Sequence, residues 1–249
     1  MIYLTGGFHG GTFAEKLEEY NTPELYSTSR EDFLIIVGDF GLPWPGEDFS
    51  DLNCAWLEKR PWTTLFIDGN HENYPVLYSL EEESFYGGKA SRLPDYPHLI
   101  HLKRGEVYDL PNGLDTVRIF CMGGAESVVD RRYRCEGIDW WPEELPSEEE
   151  LAHGEASLNR AEWLVDYVIS HCSSTRLQAQ AIWPSVAFAT AQPNRLTNWL
   201  DALEDKLTFD YWYMGHYHKD IGLDEKHAVI FDAVIPLGEQ LSLDSDRRW

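Results

Sequence analysis

Short apolar runs alternate with polar stretches of helical character through the first two thirds of the chain. Continuous apolar runs at residues 2–5, 33–37 and 63–67 predict strands that are buried on both faces. Residues 49–59 place apolar side chains at helical spacing between the second and third runs. This alternation predicts an α/β fold, but the pattern alone does not separate one twisted sheet from a sandwich of two sheets.

The rest of the chain continues the alternation with stronger turn signals. Further strands are predicted at 98–102, 106–110, 116–121, 165–170, 211–214, 228–231 and 234–237, with an amphipathic helix at 194–206. The tripeptide 111–113 predicts a hairpin turn, and Ser147 followed by three glutamates predicts a capped helix start. Residues 123–146 show no period and are rich in Arg, Trp and Pro. We therefore expect a single domain over 1–249 with an irregular insertion around 123–160.

The charge balance narrows the range of partners. The chain has 20 Lys and Arg against 43 Asp and Glu, a formal net charge of −23. Such a surface disfavours binding to long nucleic acid or to an anionic membrane. No basic leader precedes an apolar stretch, and no apolar run approaches the length of a membrane span. The four cysteines form no CxxC pair, so we expect reduced thiols and a cytoplasmic protein.

Metal-competent side chains follow five of the predicted strands. They are His9, Asp39, Asn70, His71, His171, His216 and His218. Taken singly, each residue fits an ordinary turn or a hydrogen-bonded structural position. The carboxyl ends of neighbouring strands converge in α/β sheets, so together these side chains indicate a shared site. Mixed nitrogen and oxygen ligands suit divalent metals such as Mn, Fe, Zn or Ni.

The spacing of these residues resembles that of the calcineurin-like metallophosphoesterases. Gly-Asp-Phe-Gly at 38–41, Gly-Asn-His-Glu at 69–72 and Gly-His-Tyr-His at 215–218 are similar to motifs of that family. The opening 7–10 matches its Asp-x-His-Gly motif except at the first position. Segments 68–73 and 140–146 also resemble a bacterial and prophage-borne branch. The resemblance covers essentially the whole chain.

The resemblance implies a four-layer αββα sandwich of two mixed sheets flanked by helices, and a pair of divalent metal ions. By the same resemblance Asp39 bridges both metals. Asn70, His171 and His216 complete the second metal site, and His9 and His218 serve the first. His71 stays off the metals and faces the phosphate, as a transition-state donor or as the acid for the leaving oxygen. The implied reaction is hydrolysis of a phosphomonoester or phosphodiester by in-line attack of hydroxide held between the metals.

Gly7 departs from the family pattern, because glycine has no side chain to bind a metal. Three interpretations follow. The first metal site is weak or empty, or a nearby acid such as Asp68 replaces the missing ligand, or the chain is a natural or engineered inactive variant.

Arg131, Arg132 and Arg134 form the densest basic cluster of an acidic chain. One interpretation is a clamp for the substrate phosphate. The other is a solvated loop whose arginines pair with nearby glutamates. Trp140 and Trp141 are interpreted either as a stacking platform for a nucleobase or as packing for the irregular segment.

Three functions are compatible with these features. The leading hypothesis is a metal-dependent phosphoesterase acting on a small or protein-borne phosphoester. The second is a catalytically impaired homologue that binds a metal or ligand, which Gly7 favours. The third is a nuclease on long nucleic acid, which the net charge of −23 disfavours.

Overall fold

The computed structural model describes residues 1–9, 15–44, 47–182 and 193–243. Within these residues the strands form two sheets. The larger contains β1 (Ile2–Thr5), β2 (Phe33–Ile36), β3 (Thr63–Phe66), β4 (Glu82–Phe85), β5 (Gly88–Leu93), β6 (Tyr96–Leu102) and β13 (Val234–Pro236). The smaller contains β7 (Glu106–Asn112), β8 (Asp115–Met122), β9 (Tyr167–Ser170), β10 (Tyr211–Met214), β11 (Ile221–Gly222) and β12 (His227–Val229). The helices are α1 (Asp48–Glu58), α2 (Tyr74–Ser79), α3 (Glu148–Arg160), α4 (Thr175–Ile182) and α5 (Arg195–Glu204).

Both sheets are mixed, with parallel strands at the centre and antiparallel strands at the edges. The larger sheet has the order β13-β1-β2-β3-β6-β5-β4, and β1, β2, β3 and β6 run parallel. The smaller has the order β11-β12-β10-β9-β8-β7, and β8, β9, β10 and β12 run parallel. The central parallel strands therefore point their carboxyl ends at a common edge in each sheet.

The apolar side chains form three cores, one between the two sheets and one on the outer face of each sheet, and this produces four layers. Ile35 of β2 lies in a core between the two sheets with Ile119 of β8. Its neighbour Leu34 points to the opposite face and packs with Leu57 of α1 and Leu77 of α2. The outer face of the smaller sheet packs against α3, α4 and α5. The expected αββα sandwich is confirmed, and each continuous apolar run is explained by burial on both faces.

The local signals in the sequence were reliable where they involve side-chain capping or a tight turn. The hairpin predicted at 111–113 joins β7 to β8, but its turn lies at Gly113 and Leu114, because Pro111 and Asn112 pair with β8 as part of β7. Ser147 caps α3 with a reciprocal bond from Glu150. The pattern did not predict β4 and β5. Residues 123–147 contain no strand or α-helix, whereas 148–160 form α3, so the irregular part ends earlier than expected. No helix in the described ranges is long and apolar enough to cross a membrane.

Candidate metal centre

Polar side chains from both sheets meet in one cleft. His9, Asp39 and Asn70 follow the carboxyl ends of β1, β2 and β3 in the larger sheet. His171 follows β9, and the Gly-His-Tyr-His segment 215–218 follows β10 in the smaller sheet. The structure thus brings all the predicted ligand positions to the same end of the sandwich.

Asp39 lies at the centre of this group. Its side chain is part of two clusters, one with His9 and His71 and one with His171 and His216. Within each cluster the potential ligand atoms lie within 4.8 Å of one another. Asp39 Oδ1 is 3.2 Å from His171 Nε2, and Asp39 Oδ2 is 3.7 Å from His9 Nε2. The two carboxylate oxygens therefore face different clusters, as a bridging ligand requires.

The second cluster is rigidly held. His171 Nδ1 lies 2.8 Å from the carbonyl oxygen of Val37, and this contact leaves Nε2 directed toward Asp39 and Asn70. His171 Nε2 is 3.3 Å from Asn70 Oδ1, while Asn70 Nδ2 donates to Ser127 Oγ at 3.1 Å. His171 and Asn70 are thus each oriented by a partner on the far side, which is the usual support of a metal site.

The spacing of these donors fits metal coordination. Ligands about 2.0–2.2 Å from one cation are separated from their neighbours by about 2.8–3.6 Å. His9 Nε2 and His218 Nε2 are 2.9 Å apart, and the contacts of His171 with Asp39 and Asn70 are 3.2 and 3.3 Å. Two clusters of imidazole, carboxylate and amide donors that share one carboxylate therefore fit a pair of divalent cations.

The backbone is unusual at four of these positions. His9, Asp39, His216 and His218 have φ angles of 51°, 51°, 66° and 50°. Residues with side chains are found there infrequently, because Cβ crowds the following carbonyl. Unfavourable backbone conformations of this kind cluster at functional sites.

Burial determines the protonation of the histidine ligands. Burial lowers the pKa of His9 and of His218, and burial with the nearby His171 lowers the pKa of His216 to about 3. Burial would also lower the pKa of His171, but the Asp39 charge outweighs it and raises that pKa. Neutral imidazole is the form that binds metal, so the lowered pKa values prepare His9, His216 and His218 as donors, whereas a metal would have to displace a proton that Asp39 favours on His171.

Asp39 is held in its charged form. Burial alone would raise the pKa of Asp39, yet the adjacent His171 lowers it well below the usual value. The backbone N–H of His71 also donates to Asp39 Oδ1 at 3.0 Å. Two independent partners therefore keep this carboxylate ionised and oriented.

Gly7 packs closely against the centre. A Cβ at this position would lie 2.6 Å from Asp39 Cβ and 2.8 Å from the carbonyl oxygen of Gly38. The backbone N–H groups of Phe8 and His9 both donate to the carbonyl oxygen of Asp39, at 2.7 and 2.8 Å. This tight contact leaves no room for a side chain unless one of the loops shifts.

Asp68 does not replace the missing ligand. Its Oδ2 accepts from Arg104 Nε at 2.7 Å, and its Oδ1 is 3.2 Å from His101 Nε2. Both partners are buried, and His101 belongs to neither metal-competent cluster. The interpretation that Asp68 substitutes for an acid at position 7 is wrong, because its oxygens are committed to Arg104 and His101.

Glu72, the residue after His71, connects two loops of the centre. It is fully buried, and its carboxylate accepts from the backbone N–H groups of Phe40, Gly41 and Gly69 at 2.8, 2.9 and 3.0 Å. It therefore joins the loop after β2 to the loop after β3.

The cleft in front of the centre has a volume of about 340 Å³. It is lined by His9, Gly41, Trp44, His71, Asp130, Arg134 and Asp139. Of the three predicted clamp residues, only Arg134 is among these. The Arg131 guanidinium lies on the Trp140 ring at 3.6 Å, and that of Arg132 on the Tyr133 ring at 4.6 Å. Trp141 packs beside Trp44, with ring centroids 5.9 Å apart.

Sequence reasoning missed three residues of the irregular segment, two that contact the centre and one that supports them. Ser127 accepts from Asn70 and donates to Glu144 Oε2 at 2.6 Å. Asp130 Oδ2 is 3.3 Å from His71 Nε2. Glu144 is only 3% exposed and supports the centre through Ser127, whose backbone N–H and hydroxyl both donate to its carboxylate. Their segment has no period, and no motif marks them.

Cys172 follows His171 directly in the chain. It is buried, and burial raises the pKa of its thiol to about 12. A neutral thiol is a poor ligand, so Cys172 fits a packing role. The four cysteines are all free.

Comparison with known protein families agrees with this geometry. The family model described as calcineurin-like phosphoesterase matches residues 8–220. The chain therefore belongs to the calcineurin-like phosphoesterase family. Proteins of this family are usually phosphoester hydrolases that bind two divalent metal ions. A search of curated proteins gave no match.

Proposed function

We propose that this protein hydrolyses a small or protein-borne phosphomonoester or phosphodiester in a metal-dependent reaction. The observation that carries the proposal is the pair of donor clusters that share Asp39. Divalent cations held there would polarise the phosphoryl oxygens and make water acidic enough to supply a nucleophile near neutral pH.

The residues of the chain would divide the remaining work. His9, Asp39 and His218, whose Nε2 is 2.9 Å from that of His9, would hold the first cation. Asp39, Asn70, His171 and His216 would hold the second. We leave His71, the third member of the first donor cluster, off the cation, as the family resemblance implies. His71 lines the cleft and is available to donate to the phosphoryl group. When the bond from phosphorus to the leaving oxygen breaks, that oxygen takes the electron pair and needs a proton, which His71 can supply.

The test uses metal-depleted protein reloaded with Mn, Fe, Zn or Ni and given nitrophenyl phosphate and bis-nitrophenyl phosphate. We expect metal-dependent hydrolysis that Asp39→Asn lowers by about 100-fold or more. His153→Ala is the matched control, because this histidine lies outside the cleft and contacts Glu106 at 3.0 Å. Absence of hydrolysis with every metal and substrate, in a broader panel of phosphoesters as well, would refute the proposal.

A second candidate is a homologue that binds one metal and turns over slowly or not at all. Gly7 favours it, because the first cluster lacks a ligand there. Lys16 lies close by, with its ammonium donating to the carbonyl oxygens of Gly6 and Phe231 at 3.1 and 2.6 Å. A positive charge beside the first cluster weakens the binding of a cation. Elemental analysis after dialysis distinguishes the candidates, since two retained metals favour the enzyme and one favours the impaired homologue.

A further inference from the structure

A second cavity lies outside the metal centre, at the β4–β5–β6 edge of the larger sheet. Its volume is about 700 Å³, against about 340 Å³ for the cleft, and the two share no lining residue. Residues of the three strands line it from the sheet, and the end of α2 and the first turns of α3 line it from outside. Cavities of this size accommodate small organic ligands.

The antiparallel pairing of these strands places a polar row beside the cavity. Ser91 of β5 lies directly opposite both His101 of β6 and Glu82 of β4. Residues that are directly opposite in this way point their side chains to the same face of a sheet. The His101 ring stacks on Phe66, which belongs to the core between the larger sheet and its helices. The polar row therefore lies on the outer face of the sheet.

Two buried polar atoms of this row have no hydrogen-bond partner among the described residues. They are Ser91 Oγ and His101 Nδ1, and the two residues are 0% and 1% exposed. His101 Nε2 is 3.2 Å from the Asp68 carboxylate, which assigns the ring proton to Nε2 and leaves Nδ1 as an acceptor. Because buried polar groups without partners are rare in folded proteins, this pair indicates a place for a bound polar group.

Two lysines line the same cavity without a counter-ion. Lys103 follows β6, and its backbone N–H donates to the carbonyl oxygen of Lys89 in β5 at 3.3 Å. Within the described ranges neither ammonium forms an ion pair or a hydrogen bond. Like charges on adjacent strands destabilise a sheet, and burial lowers the pKa of Lys103. An anion between the two ammonium groups would relieve both costs.

The acids around the cavity do not neutralise these lysines. Asp68 and Glu150 lie against the guanidinium of Arg104, whose side chain is 3% exposed. Glu106 contacts a histidine ring at 3.0 Å. The two remaining glutamates of the lining are exposed, and solvent screens their charge. The lysine pair thus remains available to a ligand.

We propose that this cavity is a second ligand site, which binds a small polyhydroxylated anion such as a sugar acid or a sugar phosphate. The anionic group would lie between the ammonium groups of Lys89 and Lys103. A hydroxyl group of the ligand would accept from Ser91 and donate to His101. Because this site shares no lining residue with the cleft, the inference does not depend on the proposed function.

The first experiment titrates the full chain calorimetrically with gluconate, hexanoate and sorbitol, which have the same number of carbon atoms. Hexanoate lacks the hydroxyl groups and sorbitol lacks the charge. We expect gluconate to bind at least about 10-fold more tightly than either, because each of the others loses one class of polar contact. Equal affinity for gluconate and hexanoate would overturn the proposal.

A fourth ligand identifies the anionic group. Glucose 6-phosphate is titrated into protein treated with a chelator, so that no metal-dependent reaction consumes it. Tighter binding than that of gluconate would assign the ligand to the sugar phosphates, and weaker binding would assign it to the sugar acids. Absence of binding by both compounds would overturn the proposal.

Charge-removing variants locate the site. Lys103→Met and Lys89→Met keep most of the alkyl stem and should each weaken gluconate binding by about 10-fold. The matched control is Lys59→Met, which removes an exposed lysine at the end of α1 and should leave binding unchanged. Asp39→Asn alters the metal centre alone. Loss of binding in Asp39→Asn with full binding in Lys103→Met would place the anion at the metal centre and refute a second site.

Chemical protection gives a readout in the unmodified sequence. Bound gluconate should slow the acetylation of Lys89 and Lys103 by acetic anhydride, followed by mass spectrometry, and should leave Lys59 unaffected. Acetylation of Lys89 and Lys103 at the same rate with and without saturating gluconate would show that the ligand binds elsewhere, and the proposal would fail.

Discussion

At the scale of single residues, the site depends on groups that bind no metal. Glu72 accepts three backbone hydrogen bonds from two loops, and Ser127 fixes which end of the Asn70 amide faces His171. The motifs identified the metal-competent side chains that meet in the cleft, because that chemistry is fixed by residue type and spacing. Ser127 and Asp130 were beyond such reasoning, because their contacts depend on the path of a segment without a period.

Glu72→Gln is expected to destabilise the fold. An amide can present only one acceptor oxygen, so its NH₂ group would face a backbone N–H in a buried site. Leaving a buried donor unsatisfied reduces the free energy of unfolding by about 1–3 kcal/mol. Urea unfolding measures this, with Glu136→Gln as an exposed control. Equal midpoints for the two variants would contradict the role assigned to Glu72.

Gly7→Ala tests the close packing at the missing ligand position. The added methyl group would meet Asp39 Cβ and the Gly38 carbonyl at distances that atoms do not tolerate. Overpacking of this kind destabilises by about 1–3 kcal/mol. The midpoint of urea unfolding should fall in the metal-free protein. An unchanged midpoint would mean that the loops already leave room for a side chain.

At the scale of elements, the clearest strand signals in the sequence come from strands that are buried on both faces. β2 and β3 are continuous apolar runs because each face packs against another layer. β4 was missed because it is an edge strand whose residues are mostly exposed, and its acidic side chains give no apolar period. The elements are also joined by buried charges, since Asp68 at the end of β3 pairs with Arg104 after β6.

Asp68→Asn is expected to lower the free energy of unfolding by about 3–5 kcal/mol, because Arg104 would stay buried without its counter-ion. Asp109→Asn is the matched control, since Asp109 pairs with Arg118 at the surface and such pairs contribute below about 1 kcal/mol. Urea unfolding at pH 7 compares the two. Similar losses in the free energy of unfolding would show that the buried Asp68–Arg104 pair stabilises the fold no more than the exposed Asp109–Arg118 pair.

The pair also predicts a dependence on pH. Burial alone would raise the pKa of Asp68, but Arg104 and His101 lower it well below the usual value. The stabilisation is therefore fully present above the unfolded pKa of about 3.9 and is lost as the pH falls below it. Between pH 5 and pH 2, wild type should lose more stability than Asp68→Asn. Parallel losses would show that another group governs the acid response.

At the scale of the whole molecule, the net charge of −23 repels anions, whereas cations held at the centre would attract them. Asp39 is the carboxylate in the proposed ligand set, and the remaining ligands are neutral imidazoles and an amide. Asp130 and Asp139 line the cleft outside that set. A cation pair would thus make a small positive region inside a negative surface, which favours compact phosphoesters over long polyanions.

This arrangement predicts a salt effect that depends on substrate charge. Raising the ionic strength from about 0.02 M to about 0.2 M shortens the screening length and weakens the repulsion of anions. The KM of a phosphoester with several negative charges should fall by roughly two- to five-fold, whereas that of a singly charged diester should hardly change. Steady-state kinetics with one substrate of each kind measures this. Equal changes of KM for the two substrates would contradict the inference that the negative surface repels highly charged anions.

Four of the proposed ligand positions have a left-handed backbone. At such positions the residue that would make the protein most stable differs from the residue that can bind a metal. At the three histidine positions among them, glycine or asparagine would relieve strain of about 1 kcal/mol each, whereas histidine keeps the strain and supplies a donor atom. A library selected only for heat resistance, in the absence of metal, is therefore expected to drift away from histidine at positions 9 and 218. Directed evolution of this protein would need a metal-dependent selection to keep its chemistry.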